Sequence, residues 1–108
     1  MNWDEKLKIY DTLVAQCPRF ERLGKTMPYT SANGYMFSLF NKAGEIGIRF
    51  SKEIQKSYLE KYNTTLYTSY GATMRGYILI PETMWSEEDT IVKLLNESYD
   101  YVMSLEPK

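Results

Sequence analysis

Tyr35-Met36-Phe37-Ser38-Leu39-Phe40-Asn41-Lys42-Ala43-Gly44-Glu45-Ile46-Gly47-Ile48-Arg49-Phe50 is the stretch that decides the fold. Its first six residues are rich in aromatics, the composition of a strand. Asn41-Lys42-Ala43-Gly44 has hairpin-loop length and ends in a glycine free to take a positive φ. Beyond the loop, Ile46, Ile48 and Phe50 alternate with Glu45, Gly47 and Arg49. That period of two places Ile46, Ile48 and Phe50 on one sheet face and Arg49 on the other. Strands joined by so short a loop run antiparallel.

Upstream, Asn33-Gly34 marks a turn, and Lys25 to Thr30 reads as another strand that Pro28 confines to an edge or a bulge. Trp3, Leu7, Tyr10, Val14 and Cys17 recur at helical spacing, with Leu13 widening the stripe. Asn2 suits the cap of that helix, Asp4 and Glu5 suit its positive end, and Pro18 stops it. Downstream, Ser51 caps a helix whose Ile54, Tyr58, Leu59 and Tyr62 share a face. Leu66 to Tyr70 predicts a strand, Gly71-Ala72 a turn and Thr73 to Ile80 a further strand, ended by Pro81. A last helix is expected over 86–105, roughly 30 Å long. Ser86 would be its cap, with Asp89 three residues on, and Ile91, Leu94, Leu95, Val102 and Leu105 its apolar stripe. The expectation is one α+β domain over residues 1–108, in two layers. An antiparallel sheet carries its helices on one face, in the order α-β(3)-α-β(2)-α.

A chain of 108 residues with 44% hydrophobic and 25% charged residues has the balance of a folded domain. Cys17 is the one cysteine, so no intramolecular disulfide is available, as suits a reducing compartment. Met1-Asn2-Trp3-Asp4-Glu5 lacks the basic start of a secretion signal, and Tyr77 to Ile80, the longest strongly apolar run, is far too short to span a membrane. The expected location is cytoplasmic. Residues 1–80 hold 11 Lys/Arg against 7 Asp/Glu, whereas residues 81–108 hold 2 against 7. The excess of cations is modest beside the footprint of a nucleic-acid binder.

The chain has no histidine. Catalysis by Ser-His-Asp or Cys-His arrangements needs one, and without it the usual zinc sites cannot be built around a single cysteine. Gly24-Lys25-Thr26 echoes the end of a phosphate-binding loop. Position 19, where the first glycine belongs, is Arg, and Met27-Pro28 follows instead of a helix. The reading is therefore a non-enzyme with no catalytic, cofactor-binding or metal-binding residues. Arg49 and Arg75 lie in strands whose neighbours face the helices. With Ile48, Phe50, Met74 and Gly76 turned inward, Arg49, Arg75 and Tyr77 are expected to share the opposite face as a candidate interaction surface. The expected partner is another protein or a second copy of the chain. A nucleic-acid-binding regulator using the basic residues 19–75 is the first alternative, and an enzyme or small-ligand binder with an unfamiliar site, to be marked by a deep pocket of converging polar groups, is the third possibility.

Three segments together carry a resemblance. Asn33-Gly34-Tyr35-Met36-Phe37 is similar to a turn followed by a G-x-M-F strand. Ile46-Gly47-Ile48-Arg49-Phe50 is similar to an apolar strand with a basic residue near its end. Tyr77-Ile78-Leu79-Ile80-Pro81 is similar to a Y-x-x-P segment before a final helix. Over about residues 25–105 the chain resembles the amino-terminal domain of the TfoX/Sxy family, proteins associated with regulation of bacterial competence. The resemblance implies the same two-layer fold and a regulatory role, and it brings no catalytic residues. Lys25-Thr26-Met27-Pro28-Tyr29 stands where the family often has a glycine-rich first strand. Two-domain members add a carboxy-terminal domain that this sequence is not expected to carry, so a competence role transfers poorly.

Overall fold

The Asn33-Gly34 turn closes a two-residue hairpin, with φ of 58° and 85° at its two residues, the double left-handed turn that suits the twist of paired strands. In the computed structural model, which covers residues 1–108, it joins β1 (Tyr29–Ala32) to β2 (Tyr35–Phe40). The four-residue loop then leads to β3 (Ile46–Arg49), and β4 (Leu66–Ser69) and β5 (Ala72–Ile80) complete the sheet. All pairs are antiparallel, in the order β1-β2-β3-β5-β4. The helices are α1 (Trp3–Ala15), α2 (Lys52–Lys61) and α3 (Glu88–Met103). The predicted order and α+β class are those of the structure.

One core lies between helices and sheet. Tyr10, Leu13 and Val14 of α1 and Ile91, Leu94 and Leu95 of α3 meet Phe40, Ile46, Ile48, Phe50, Ile78 and Ile80. Tyr58 and Leu59 of α2 and Tyr62 at its C-cap pack on the same core, while Ile54 of the predicted stripe stays exposed. Burial of the Tyr58 phenol, with the Glu97 carboxylate it donates to, raises its pKa to about 12. Cys17 is buried as expected. Burial raises its thiol pKa, and its Sγ–H lies against the Leu13 carbonyl.

Three boundaries moved. The first strand starts at Tyr29, not Lys25, because Pro28 serves the sheet only as an acceptor, from Phe40 N. The hairpin turn predicted at Gly71-Ala72 sits at Tyr70-Gly71, with φ of 53° and 74°. The last helix begins at Glu88, and Ser86 does not cap it. Before the helix, Glu82–Met84 forms a 3-10 turn that buries Met84 and Trp85, whose indole N–H donates to Ile80 O. Burying an indole outweighed a local cap. The reciprocal capping box belongs to α1 instead, between Asn2 and Glu5.

Asn33 does more than turn the chain. Its Nδ2 donates to Val102 O at 2.9 Å and to Leu105 O at 2.8 Å, satisfying carbonyls at the end of α3. Lys108 N donates to Asn33 O, and the Tyr35 hydroxyl donates to Glu106 O. Asn33→Asp keeps a residue tolerant of positive φ but loses both donors and sets an anion at the negative end of a helix. It should lower the unfolding free energy by about 1–2 kcal/mol, more than Asn33→Gly, in urea titrations.

Candidate functional site

The sheet face away from the helices is not bare. Leu39, Tyr67 and Tyr77 are buried there, with Met27, Tyr29, Met36, Met74 and Leu79 half-buried around them. Tyr67 of β4 lies across Gly47 of β3, and its hydroxyl is shared by Leu39 O at 3.1 Å and Glu45 O at 2.8 Å. Tyr77 lies 6.0 Å from it, centroid to centroid, with its hydroxyl donating to Met36 O. Burial pushes both phenols well above their ordinary pKa, so both stay neutral hydrogen-bond donors.

Of the three residues expected to form a surface, Arg49 and Tyr77 are cross-strand partners, and Arg75 lies apart from them. Tyr77 is on the expected face but is only 4% exposed, so it is a core residue of that face. Arg75 is exposed, but strict alternation fails beside it. Gly76 has φ of 86°. From Leu66↔Ile78 to Thr68↔Thr73 the β5 chain advances five residues while β4 advances two. This bulge puts Met74 with Tyr77 and Leu79, and so turns Arg75 to the other side. Arg49 is half-buried. Its guanidinium turns over the rings of Tyr35 and of Tyr101 on α3, at 5.5 and 5.8 Å, where β2 and β3 diverge and Ser98 Oγ bonds to Phe37 O and Arg49 O. Arg49, Arg75 and Tyr77 therefore do not form one patch.

What the sequence reading missed was the methionine group. Met36 was placed by a second bulge: Thr30 pairs Ser38 but Ser31 pairs Met36, leaving Phe37 extra. Phe37 thereby turns toward Phe20 and Tyr99, and Met36 goes to the helix-free face. The one signal available for either bulge was a glycine inside a strand, at Gly76.

The charge asymmetry along the chain is partly spent within the molecule. Arg19 bonds Asp100 at 2.7 Å, Lys6 lies 3.7 Å from Glu82, and Arg22 holds both oxygens of Asp11. No three Cys, Asp or Glu side chains converge as metal ligands would, and no helix is long and apolar enough to cross a membrane. No protein-family model matches the chain, and no curated protein matches it.

Proposed function

We propose that this chain is a small protein-interaction domain of the TfoX/Sxy amino-terminal type, with a regulatory role. Its contact surface is the helix-free sheet face, and its first partner is a second copy of itself. The observation that carries this reading is the group of half-buried Met27, Tyr29, Met36, Met74 and Leu79 on a face that no helix covers. Methionine side chains adapt to a partner's shape, and tyrosines offer large contact area at low entropic cost. These five side chains are themselves uncharged, so they can meet their copies across a twofold axis without like-charge repulsion among them. Such a face should associate through apolar burial and so persist at high salt.

Sedimentation over a range of concentrations tests it. The weight-average mass should rise above 12.7 kDa, and Met36→Lys/Met74→Lys should hold it at the monomer value with little change in melting temperature. A wild-type chain that stays monomeric throughout, or a variant that still associates, rejects the reading. The alternative, a nucleic-acid-binding regulator, rests on Lys52, Lys56 and Arg75, exposed cations with no carboxylate in ion-pair range. It predicts duplex binding whose affinity falls steeply with salt.

A further inference from the structure

Of the five asparagines, Asn33 alone precedes a glycine; Asn2, Asn41, Asn63 and Asn96 precede Trp3, Lys42, Thr64 and Glu97. An asparagine and the peptide nitrogen after it carry the parts of an intramolecular reaction, since that nitrogen can attack the side-chain amide carbon. A side chain on the following residue crowds the attack, and glycine has none. Gly34 is exposed, so water reaches this peptide.

The fold holds Asn33 out of that reaction. The residue is half-buried, and both of its amide bonds run to the end of α3, at Val102 O and Leu105 O. Lys108 N donates to Asn33 O at 3.2 Å, and Lys108 lies so near Gly34 that a Cβ there would come within 2.7 Å of its own. The Asn33 side chain thus points at α3, and Cγ must swing away from both acceptors to reach the Gly34 nitrogen. Every one of these ties is to residues 102–108, the last turn of α3 and the segment after it. Helix ends are where local opening costs least.

We propose that Asn33–Gly34 is a self-modification site, held unreactive while the end of α3 is docked on it and released when that end lets go. The Gly34 nitrogen gives its proton to hydroxide and bonds to Asn33 Cγ. The Cγ–Nδ2 bond breaks, and Nδ2 leaves as ammonia. Water then opens the resulting cyclic imide at one of its two carbonyls, giving aspartate or an isoaspartate whose backbone runs through the former side chain. Either product lacks the donors that satisfied Val102 O and Leu105 O, and sets an anion at the negative end of α3. Isoaspartate also adds a backbone atom to a two-residue hairpin turn, whose geometry is set by its length. Loss of ammonia makes the change one-way, so a single opening of the α3 end becomes permanent. This inference is independent of the helix-free face and of self-association.

Peptide mapping by mass spectrometry tests it, reading the exchange of ammonia for water at Asn33. The folded chain and the chain unfolded in urea are incubated at the same mildly alkaline pH and temperature. Two hydrogen bonds that must break first should slow the folded chain by about tenfold to a hundredfold. Met103 is 47% exposed in the last turn of α3, so a change there alters fraying without removing a group that bonds Asn33. Met103→Gly should convert about threefold to fivefold faster than Met103→Ala, with Asn63 unchanged in both. Converted wild-type chain, separated from its parent by ion exchange, should melt at a lower temperature. The proposal is overturned if the folded chain converts at Asn33 as fast as the unfolded one, or if the unfolded chain keeps Asn33 as intact as Asn63. It is equally overturned if the two Met103 variants convert alike, or if Asn63 speeds up in step with Asn33, which would assign the effect to global unfolding.

Discussion

Gly47→Ala should destabilise the protein by about 2–4 kcal/mol, a large cost for one methyl group, combining overpacking with lost hydrogen bonds. A Cβ at Gly47 would fall inside contact distance of three atoms of the Tyr67 ring. Tyr67 is 1% exposed and fixed by its hydroxyl bonds to Leu39 O and Glu45 O, so it cannot yield without giving those up. Alanine should otherwise favour a strand over glycine, by about 0.5–1 kcal/mol. Removing the ring should therefore reverse the sign. In a Tyr67→Ala background, Gly47→Ala should be neutral or slightly stabilising in urea titrations followed by circular dichroism. Additive single and double variants would show that the ring does not rest on Gly47, and the account of the second face would fall with it.

The Gly47–Tyr67 contact also marks how far the sequence could be read. Ile46, Ile48 and Phe50 went to the helix side because period-two alternation holds wherever a strand is regular and one face is buried. The hairpin at Asn33-Gly34 was legible for a similar reason, since two successive left-handed residues leave few choices of residue type. Tyr67 was not legible as a cover. Nothing local to Leu66–Ser69 says that its ring crosses β5 to lie on β3, because the ribbon's curl comes from bulges and long-range packing.

The separation of Arg75 from Arg49 and Tyr77 has the same origin. Each bulge shifts the alternation by one residue, and an error of one exchanges the faces. Gly76 inverted Arg75, and Phe37 inverted Met36. The junction of the β2–β3 loop with the β4–β5 turn was out of reach for another reason. It joins residues 27 apart through the Asn41–Thr68 bond, and a contact at that separation is visible only once the chain is folded.

Ser38→Ala should cost more than Tyr10→Phe, although each removes a single oxygen. The Tyr10 hydroxyl lies 2.6 Å from Ser38 Oγ, which lies 2.5 Å from Thr30 Oγ1, and all three residues are 0% exposed. Burial raises the Tyr10 pKa well above its ordinary value, so the phenol stays neutral and its hydroxyl needs a partner. Ser38 stands in the middle of this chain, between α1 and β1. Tyr10→Phe removes one end and leaves Ser38 bonded to Thr30, so its cost should be about 1 kcal/mol, that of one hydrogen bond. Ser38→Ala strands both ends. Each buried hydroxyl left without a partner costs about 1–3 kcal/mol, so the total should be about 2–5 kcal/mol. The double variant separates an orphaned group from a merely smaller core. With Phe at position 10 there is one hydroxyl fewer to strand, so Tyr10→Phe/Ser38→Ala should be more stable than Ser38→Ala alone. Urea titrations of the four proteins decide it. A double variant less stable than Ser38→Ala would mean that the hydroxyls act separately, and that α1 is held on the sheet by apolar packing alone.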